Sequence, residues 1–434
     1  MRVLAKDVKA AALEGGKIVE VSGWVHRIRD LGAVNFIILR DRSGMIQLVL
    51  NEKTDLTHES VITVRGEAAL NDKAPGGAEV RVSSLEVLSA SVPDLPFQVN
   101  GDVNKVGLEA ILDQRTLSLR NPKISAIFKV QATIVDAFSS ALRGMGFTEI
   151  KTSKLVAGST EGGTELFEVE YFDKKACLAQ SPQLYKETMV ASGLERVFEV
   201  APAYRAEKHD TPRHLNEYIS MDIEMGFIES ELELIEVEKK VLAHIFEEVA
   251  NRNSAELALW KDHDASVPEA DAVFNAPVIS YEEALKIANK ESEAGKGGRI
   301  FDINPEAERH VCRWAQREKG TGLVFVNEFP RRYRPFYTYP SGTSGTMSFD
   351  ALFRGLEITT GGRRQHDYNA LLEVLPRFGL KAENMEGYLS VFKYGCPPHG
   401  GFAIGCERLT ARILGLANVK EASLFPRDRK RLTP

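Results

Sequence analysis

Cysteine is scarce in this sequence, and the spacing of the few cysteines argues against both a disulfide framework and a structural zinc site. Four occur in 434 residues, at Cys177, Cys312, Cys396 and Cys406. They lie far apart, without a Cys-x-x-Cys pair or a Cys/His spacing that suits zinc. We therefore expect reduced thiols rather than a disulfide framework, and a cytoplasmic protein.

Long apolar runs and the common glycine-rich nucleotide motifs are also missing. Residues 1–7 include charges where a secretory peptide needs an apolar stretch, and no apolar run approaches the length that spans a membrane. These absences predict a protein that is neither exported nor embedded in a membrane. Neither GxGxxG nor GxxxxGK[ST] occurs, so ATP, if it is used, is bound by neither a Rossmann fold nor a Walker loop.

The sequence has only a modest excess of negative charge, with a formal net charge of −6. This value argues against a surface coated with nucleic acid throughout, but it leaves room for a local basic face. Arginines do cluster, at Arg27 and Arg29, at 331–334, at Arg363 and Arg364, and at 427–431. A length of 434 residues with 43% hydrophobic content predicts two folded units with substantial cores.

The N-terminal part of the chain predicts a small β-barrel. Strand alternation and turn residues mark five segments, 17–29, 34–40, 45–50, 61–70 and 80–89. Turns are indicated at 41–44 and at 75–77. Five strands in about seventy residues suit a barrel of the oligonucleotide-binding type, with a purely structural β-module as the alternative. We place this OB-fold domain at 1–90.

The rest of the chain predicts a hinge and an α+β domain. A proline-containing stretch begins the hinge, 91–121. Asn121-Pro122 then supplies a cap and a first-turn proline to an amphipathic helix that stops at Gly144, and a second helix begins with the capping box Ser230 to Glu233. Because the surrounding sequence is rich in strands, we expect the domain at 122–434 to pack helices on a largely antiparallel sheet.

Three clusters in this domain have the residue types of a catalytic site, and the first spans 200–227. In its second half, apolar residues alternate with Ser220, Asp222 and Glu224, which predicts a half-buried strand with acids on its open face. A polar loop with Arg213 and His214 separates this strand from an earlier one that ends near Arg205. Fixed guanidinium groups at these positions could grip a triphosphate.

The second cluster, 347–366, contains two carboxylates in one β-like segment. Asp350 and Glu357 could hold Mg²⁺ through oxygen ligands and bridging phosphates, with surface salt bridges as the alternative. Gly361-Gly362 lets the backbone approach a ligand closely, and the nearby Arg364 could fork onto a small carboxylate.

The third cluster, 400–410, predicts a strand, a tight glycine turn and a helix. Arg408 stands at the start of that helix, where it could stack on an adenine and reach the γ-phosphate. Taken alone, a position of Arg408 on a plain helix surface is a reasonable alternative interpretation.

In this order the clusters resemble motifs 2 and 3 of the class II aminoacyl-tRNA synthetases. The match comprises Arg205-x-Glu207 with a strand ending in Phe227, then Asp350 and Glu357 before Gly-Gly-x-Arg-x-His, then Gly405-x-Glu407-Arg408. Gln180-Ser181-Pro182-Gln183-Leu184-Tyr185-Lys186 resembles the aspartate-pocket signature of the aspartyl branch, 160–167 its flexible substrate loop, and 424–428 its archaeal-type ending. The resemblance covers nearly the whole chain and implies an anticodon-binding OB-fold in front of a class II catalytic domain.

The resemblance implies a two-step reaction with ATP and Mg²⁺, in which L-aspartate becomes an adenylate and then acylates tRNA. Arg205 and Arg408 would be the catalytic cations, and Asp350 and Glu357 would hold the metal. The aspartate site would comprise Glu165, Gln183, Lys186, Arg205, Thr360 and Arg364. The ATP site would comprise Arg205, Glu207, Arg213, His214, Leu215, Glu357, Gly405, Cys406, Glu407 and Arg408. Asparagine would be rejected because its neutral amide leaves Arg364 and Lys186 unpaired.

In the barrel, four residues resemble the family's anticodon readers: Arg27, Arg29, Phe36 and Gln47. Phe36 as plain core is the alternative. His26 and Pro75 resemble residues of enzymes that accept both tRNA(Asp) and tRNA(Asn), so the hypothesis is a ligase for both, with Asp-tRNA(Asn) handed to an amidotransferase. The alternatives are an enzyme strict for tRNA(Asp), an asparaginyl enzyme, a catalytically silent tRNA-binding paralogue, and an asparagine-synthetase-like relative, which would lack the barrel.

The segment that resembles motif 1, 147–153, departs from the family by having Ser153 where a proline is usual. Since this segment normally builds the dimer interface, the resemblance implies a homodimer while leaving its geometry open.

Overall fold

The computed structural model describes residues 2–32, 34–158, 165–295 and 297–433, and the chain divides into two units, Met1–Asn121 and Pro122–Pro434. The predicted hinge, 91–121, lies wholly in the first unit. No helix within those described ranges is long and apolar enough to cross a membrane.

Five strands in the first unit close into a barrel, which confirms the predicted architecture. They are β1 Ile18–Asp30, β2 Asn35–Asp41, β3 Gly44–Leu50, β4 Val61–Leu70 and β5 Ala78–Ser89. The order around the barrel is β1-β2-β3-β5-β4, with β3 and β5 parallel and the other neighbours antiparallel. The helices of this unit are α1 Val8–Leu13, α2 Leu108–Asp113 and α3 Arg115–Ser118.

Alternation along the strands separates the barrel interior from its surface. In β2, Ile37 and Leu39 belong to the buried core, whereas Phe36 is only half-buried and lies on the other face. A β-bulge interrupts β1 at His26, because Val25 pairs with Leu39 while Arg27 pairs with Ile38. The extra residue reverses the alternation, so Arg27 and the next arginine along β1 face outward.

The second unit is an α+β domain, as the sequence predicts. Its strands are β6 Thr148–Glu149, β7 Leu155–Val156, β8 Glu168–Tyr171, β9 Lys174–Leu178, β10 Arg196–Tyr204, β11 Glu217–Gly226, β12 Val278–Ser280, β13 Leu323–Asn327, β14 Pro340–Ser341, β15 Gly345–Thr346, β16 Ser348–Phe353, β17 Leu356–Arg363 and β18 His399–Gly405. Its helices are α4 Pro122–Gly144, α5 Gln183–Met189, α6 Glu231–Arg252, α7 Ser254–Leu259, α8 Ala270–Phe274, α9 Tyr281–Ala294, α10 Pro305–Lys319, α11 Tyr368–Val374, α12 Glu386–Lys393 and α13 Cys406–Leu414.

Eight of these strands form the central sheet, in the order β12-β13-β16-β17-β18-β11-β10-β6. Neighbours are antiparallel except at the two ends, where β12 pairs with β13 and β10 with β6 in parallel. Helix α4 begins at Pro122 and α6 follows the Ser230 capping box, both as predicted. Together with α13, these helices pack apolar residues such as Phe138 and Phe246 against one side of the sheet. Polar residues of the central strands are therefore gathered on the other side.

Candidate active site

The polar side of the central sheet brings the three sequence clusters together. In β11, Met221, Ile223 and Met225 enter the apolar core, and the residues that alternate with them face the other way. The prediction that these acids lie on an open face is wrong, because Asp222 and Glu224 are 1% and 0% exposed. An unpaired buried carboxylate is costly, so both acids require cations beside them.

A first cavity lies between the loop after β10, strands β17 and β18, and the start of α13. It is lined by Arg205, Glu207, Arg213, His214, Leu215, Tyr218, Ser220, Glu357, Ile358, Thr360, Ala403, Gly405, Glu407, Arg408 and Val419. The lining contains every residue predicted to bind ATP except Cys406. The Cys406 side chain is fully buried in the apolar core, so only its backbone can approach a nucleotide.

Two residues of this lining are held by contacts that the sequence pattern did not indicate. The buried Glu407 carboxylate accepts the Ile219 N–H at 3.1 Å, and burial raises its pKa to about 7. Arg213 Nη2 donates to both carboxylate oxygens of Glu308 at 2.6 and 2.7 Å, and Glu308 also accepts the Glu357 N–H at 2.9 Å. Glu308, on α10, therefore ties Arg213 to β17, although nothing in its own helix marked it as a site residue.

A second β-bulge places Glu357 on the cavity side of β17. Ala351 pairs with Thr359, but Leu352 pairs with Glu357, so Ile358 is the extra residue. Arg408 Nη1 donates at 3.0 Å both to the Glu357 carboxylate and to the Glu357 carbonyl oxygen. Burial alone would raise the pKa of Glu357, but Arg408 and other nearby arginines lower it below its ordinary value. Glu357 is therefore an anion fixed in place by Arg408.

Asp350, the other predicted metal ligand, lies on β16 and pairs across the strands with Thr360. Burial raises the pKa of Asp350 to about 7; Arg334 opposes this rise and Glu357 adds to it. Arg334 Nη2 lies 2.8 Å from Asp350 Oδ1. No group of three histidine, cysteine, aspartate or glutamate side chains suited to a metal occurs in the described part of the chain. A metal ion here would therefore rely on two carboxylates and on oxygens from outside the protein.

A second cavity adjoins the first, and the two share Arg205, Tyr218, Ser220, Thr360 and Ala403. Its other lining residues are Ser181, Gln183, Lys186, Asp222, Tyr333, Arg334, Pro335, Tyr337, Thr338, Ser348, Gly361 and Arg364. Among the described residues of this lining, four are cations and one, Asp222, is a carboxylate. This balance favours a small anionic ligand placed beside the first cavity.

Lys186 and Arg364, the cations predicted to bind aspartate, are buried and paired with internal acids. Lys186 Nζ lies 2.8 Å from Asp222 Oδ1 and 3.5 Å from Glu224 Oε2. Arg364 donates from Nε to Glu224 Oε1 at 3.0 Å and from Nη2 to the Gly401 carbonyl at 3.0 Å. The expectation that a neutral ligand leaves both cations unpaired is therefore too simple. A carboxylate ligand would instead share them with Asp222 and Glu224.

A further layer of buried groups orients Gln183. Its Nε2 donates to Glu187 Oε1 at 2.7 Å, and its Oε1 accepts from Arg364 Nη2 at 3.3 Å. Glu187 Oε2 lies 3.1 Å from His399 Nε2 and accepts the Tyr388 hydroxyl at 2.9 Å. Burial works against the charged imidazole, but contacts with Cys396 and Glu187 raise the pKa of His399 to about 10. The His399 imidazolium thus stabilises the Glu187 carboxylate that fixes the Gln183 amide.

The predicted substrate loop, 160–167, is only partly described, since 160–164 lie outside the described residues. Glu165 lines neither cavity. Its carboxylate is 2.7 Å from Lys208 Nζ, and its carbonyl accepts the Ala206 N–H at 3.2 Å. Glu165 therefore lies beside the loop that follows Arg205, and its contact with an amino-acid ligand stays a prediction.

The predicted anticodon readers share the outer face of three adjacent barrel strands. Arg29 pairs with Phe36, and Ile38 pairs with both Arg27 and Gln47. Phe36 is absent from the barrel core, so the alternative in which it is plain core is wrong. Gln47 Nε2 donates to Glu79 Oε2 at 3.0 Å, and Asn71 donates to the same oxygen at 2.6 Å. The sequence did not single out Glu79, which fixes the Gln47 amide.

His26 and Pro75 occupy different environments in the barrel. His26 is 8% exposed, and its Nδ1 lies 2.8 Å from Arg40 Nη1. Burial, with Arg40 acting in the same direction, lowers the pKa of His26 to about 4, so the ring is neutral and Nδ1 accepts the hydrogen bond. Pro75 begins the short helical turn Pro75–Gly77 just before β5. His26 therefore lies beneath the outer face that presents Arg27, whereas Pro75 shapes a surface turn.

Comparisons with known proteins point to one family. The family profile of tRNA synthetases class II (D, K and N) matches residues 107–429, and that of the OB-fold nucleic acid binding domain matches 19–88. An aspartate–tRNA(Asp/Asn) ligase from Thermus thermophilus is 47% identical, with 100% of both chains covered. An aspartate–tRNA(Asp) ligase from Pyrococcus horikoshii is 41% identical, with 96% of this chain and 97% of the relative covered. A solved asparaginyl-tRNA synthetase from Pyrococcus horikoshii, complexed with asparaginyl-adenylate, has a TM-score of 0.89 at 32% identity, with 100% of both chains covered.

These matches extend over both units and agree with the geometry of the site. The profile of the synthetases includes both cavities and the residues they share, and the profile of the OB-fold includes the outer face around Phe36. The chain belongs to the class II tRNA synthetases of the aspartate, lysine and asparagine group.

Proposed function

We propose that the protein activates L-aspartate with ATP and transfers it to tRNA(Asp) and to tRNA(Asn). We call the first cavity the nucleotide cavity and the second the amino-acid cavity. The amino-acid assignment rests on the lining of the amino-acid cavity, whose described residues include four cations and one carboxylate. Aspartate offers two carboxylates and one ammonium group, which suits this balance. Lysine, another substrate of the family, would place its side-chain cation against Lys186 and Arg364. The names of the relatives from Thermus thermophilus and Pyrococcus horikoshii support aspartate as well.

Asparagine is the rival substrate, since a structural relative carries asparaginyl-adenylate. Its neutral side-chain amide would offer Lys186 and Arg364 one acceptor oxygen, where the carboxylate of aspartate offers two and a negative charge. A buried donor left without an acceptor costs roughly 1–3 kcal/mol, and more where charged groups are involved. The aspartate ligase from Thermus thermophilus is also more similar in sequence, at 47% identity against 32% for the asparaginyl enzyme. Both considerations favour aspartate.

In the first step, the α-carboxylate of aspartate attacks the α-phosphorus of ATP in line, and the bond to pyrophosphate breaks. Arg205 lines both cavities, so it stands where the two reactants meet and would stabilise negative charge on the α-phosphate. Arg408, anchored on Glu357, would contact the rest of the triphosphate. In the second step, the 3′-hydroxyl of the terminal ribose of tRNA attacks the adenylate carbonyl and AMP leaves. Catalysis then rests on positioning and charge, without a protein nucleophile.

Asp350 and Glu357 fit a magnesium ion. Both are oxygen donors on neighbouring strands, and Asp350 Oδ1 makes no aligned hydrogen bond with any described residue. Two protein ligands suit Mg²⁺, which keeps several waters and is completed by substrate phosphates. When bound, the metal supplies neutralisation of the triphosphate charge. The protein holds the two carboxylates in position for the metal. Arg408 fixes the Glu357 side chain, and the bulge at Ile358 turns Glu357 toward the cavity.

The outer face of β1, β2 and β3 would bind the anticodon. Phe36 can stack on an unpaired base, Gln47 can read a base edge, and Arg27 and Arg29 can pair with phosphates. The proposal that both tRNAs are accepted has two supports. One is the presence of His26 and Pro75, and the other is the set of relatives named for both tRNAs, such as the one from Thermus thermophilus. A strict tRNA(Asp) enzyme is the second candidate, favoured by the name of the Pyrococcus horikoshii relative.

The proposal includes three further properties: a homodimer, a cytoplasmic location, and an Asp-tRNA(Asn) product that a tRNA-dependent amidotransferase converts. The dimer is the most direct of these to measure. Light scattering should give about twice the 48.1 kDa of one chain. A monomeric mass at working concentration would contradict it.

Charging with labelled aspartate tests the main proposal, using tRNA(Asp) and tRNA(Asn) transcripts separately. We expect both to be aspartylated, and we expect pyrophosphate exchange to depend on aspartate rather than asparagine. Arg364→Gln should lower aspartate-dependent exchange at least roughly 100-fold. The substitution removes the buried cation that pairs with Glu224 and that would pair with the side-chain carboxylate of aspartate. The adjacent Arg363→Gln is the matched control, since Arg363 stacks on Tyr339 at 4.0 Å outside the cavity lining.

Each outcome of the charging assay separates the alternatives. Aspartylation of tRNA(Asp) alone would refute dual acceptance and leave the strict enzyme. Charging with asparagine would refute the amino-acid assignment. Charging of neither tRNA by an enzyme that folds would favour the silent tRNA-binding paralogue.

A further inference from the structure

Arg334 is a buried cation of the active site to which the proposed mechanism gives no role. It follows the short helical turn Arg331–Tyr333, lines the amino-acid cavity and is 8% exposed. Its guanidinium lies over the Phe329 ring at 3.8 Å, and its Nη2 lies 2.8 Å from Asp350 Oδ1. A fixed positive charge thus occupies one side of a carboxylate that is also a candidate metal ligand.

The contact between Arg334 and Asp350 is close but poorly aligned. Within the described part of the chain, Arg334 Nε, Arg334 Nη2 and Asp350 Oδ1 make no hydrogen bond of acceptable angle. The neighbouring pair differs, because Arg408 Nη1 donates at 3.0 Å to both the carboxylate and the carbonyl oxygen of Glu357. Aligned, charge-assisted hydrogen bonds are the strong ones, whereas a misaligned pair is held mainly by Coulomb attraction. Arg334 is therefore the more exchangeable of the two cations.

We propose that Arg334 is an exchangeable counter-ion, which neutralises Asp350 in the metal-free enzyme and yields this carboxylate to the divalent cation that enters with ATP. This inference rests on the proposed function, in which Asp350 and Glu357 hold the metal.

The exchange has a consequence for the order of binding. Two carboxylates on adjacent strands would attract a divalent ion from solution, and the cations beside them, Arg408 on Glu357 and Arg334 on Asp350, oppose that attraction. With Arg334 in place, a metal ion must displace a charge of the same sign, so the ion alone binds weakly. ATP adds phosphate oxygens to the coordination shell and favours the exchange. The metal therefore enters with the nucleotide and not before it.

Binding of Mn²⁺ to the full chain without ATP tests this inference, with free Mn²⁺ measured by electron paramagnetic resonance and stability measured by thermal melting. Arg334→Met should bind Mn²⁺ roughly 10-fold or more tightly than the wild type, as expected when a cation a few ångströms away is removed. Its melting temperature should rise with Mn²⁺ at concentrations that leave the wild type unchanged. Arg332→Met is the matched control, since Arg332 is exposed on the same turn and lies over Tyr333 at 4.8 Å.

Two further variants keep the test decisive if Arg334→Met folds poorly. Arg334→Gln keeps a polar side chain without the charge and should show the same tightening. Adding Asp350→Asn to either variant should abolish it. Unchanged or weaker Mn²⁺ binding in the folded Arg334 variants would overturn the inference, because Arg334 would then only hold Asp350 in position. That failure is separable from failure of the proposed function, which is read from tRNA charging by the wild-type enzyme.

Discussion

Glu238, in α6, is a carboxylate buried on the core side of the catalytic sheet, and no cation among the described residues pairs with it. Its side chain is 0% exposed, and its two carboxylate oxygens and the Thr359 hydroxyl make no hydrogen bond with any described residue. Burial raises the pKa of Glu238 to about 8; proximity to Thr359 opposes this rise and Asp350 adds to it. At pH 7 the folded chain therefore holds Glu238 as a neutral acid.

The pH dependence of stability follows from that pKa. The unfolded chain ionises this group near 4.5, so between about pH 4.5 and pH 8 the folded chain binds more protons than the unfolded chain. Stability contributed by this site falls as pH rises through that window and levels off above the folded pKa. The loss accumulated by pH 7 is roughly 3 kcal/mol, at about 1.4 kcal/mol for each pH unit above the unfolded value. Glu238→Met removes the titrating group at similar side-chain length.

We expect Glu238→Met to be more stable than the wild type by roughly 2–3 kcal/mol at pH 7, and by less than about 1 kcal/mol at pH 5. Urea unfolding of the catalytic unit at pH 5, 7 and 8.5, followed by circular dichroism, measures this difference. Glu247→Met is the control, since Glu247 lies on the exposed face of the same helix. The reasoning fails if Glu238→Met is no more stable than the wild type at pH 7, or if both lose stability equally between pH 5 and pH 8.5.

Three other substitutions address the barrel and the sheet. Phe36→Ala should weaken tRNA binding by roughly 1–3 kcal/mol, the value of one base stacked on an aromatic ring, and leave pyrophosphate exchange unchanged; a change in exchange would place Phe36 outside the anticodon surface. Glu59→Ala should destabilise the first unit by roughly 3–5 kcal/mol in urea, because it strips the buried Arg40 of contacts at 2.9 and 2.7 Å; a small effect would show that Arg40 finds another partner. Gly401→Ala should cost about 1–3 kcal/mol or more and lower exchange, since a Cβ there would collide with the Ile223 carbonyl and the Glu224 carboxylate; wild-type melting and activity would contradict this.

Local signals predicted the elements of the fold well. The bounds of α4 agree with the proline at 122 and the glycine at 144, and the capping box at Ser230 forms as expected. These signals act within a few residues of the chain, so they can be read without knowing the tertiary structure. The same holds for the five barrel strands, whose alternation depends only on which face is buried.

Local signals of this kind could not predict which distant residues of the chain come into contact. The bulges at His26 and Ile358 depend on the register of neighbouring strands, and they decide which side chains reach the outer barrel face and the cavity. Asp222 and Glu224 alternate with apolar residues as in an exposed face, but Lys186 from α5 and Arg364, which follows β17, place cations beside them. Arg334 belongs to a basic run whose other members do not line the amino-acid cavity, and only tertiary structure separates it from them.

Charge compensation explains how the amino-acid cavity can contain so many buried ions and still select an anion. Lys186 and Arg364 face Asp222 and Glu224, so two cations and two anions are balanced before any substrate enters. Arg334 and Asp350 form a further balanced pair. In the proposed exchange, the metal takes Asp350 and leaves the Arg334 guanidinium in the cavity wall as one uncompensated positive charge. Because aspartate has one net negative charge and asparagine has none, this exchange would add to the preference for aspartate that the excess of lining cations already gives.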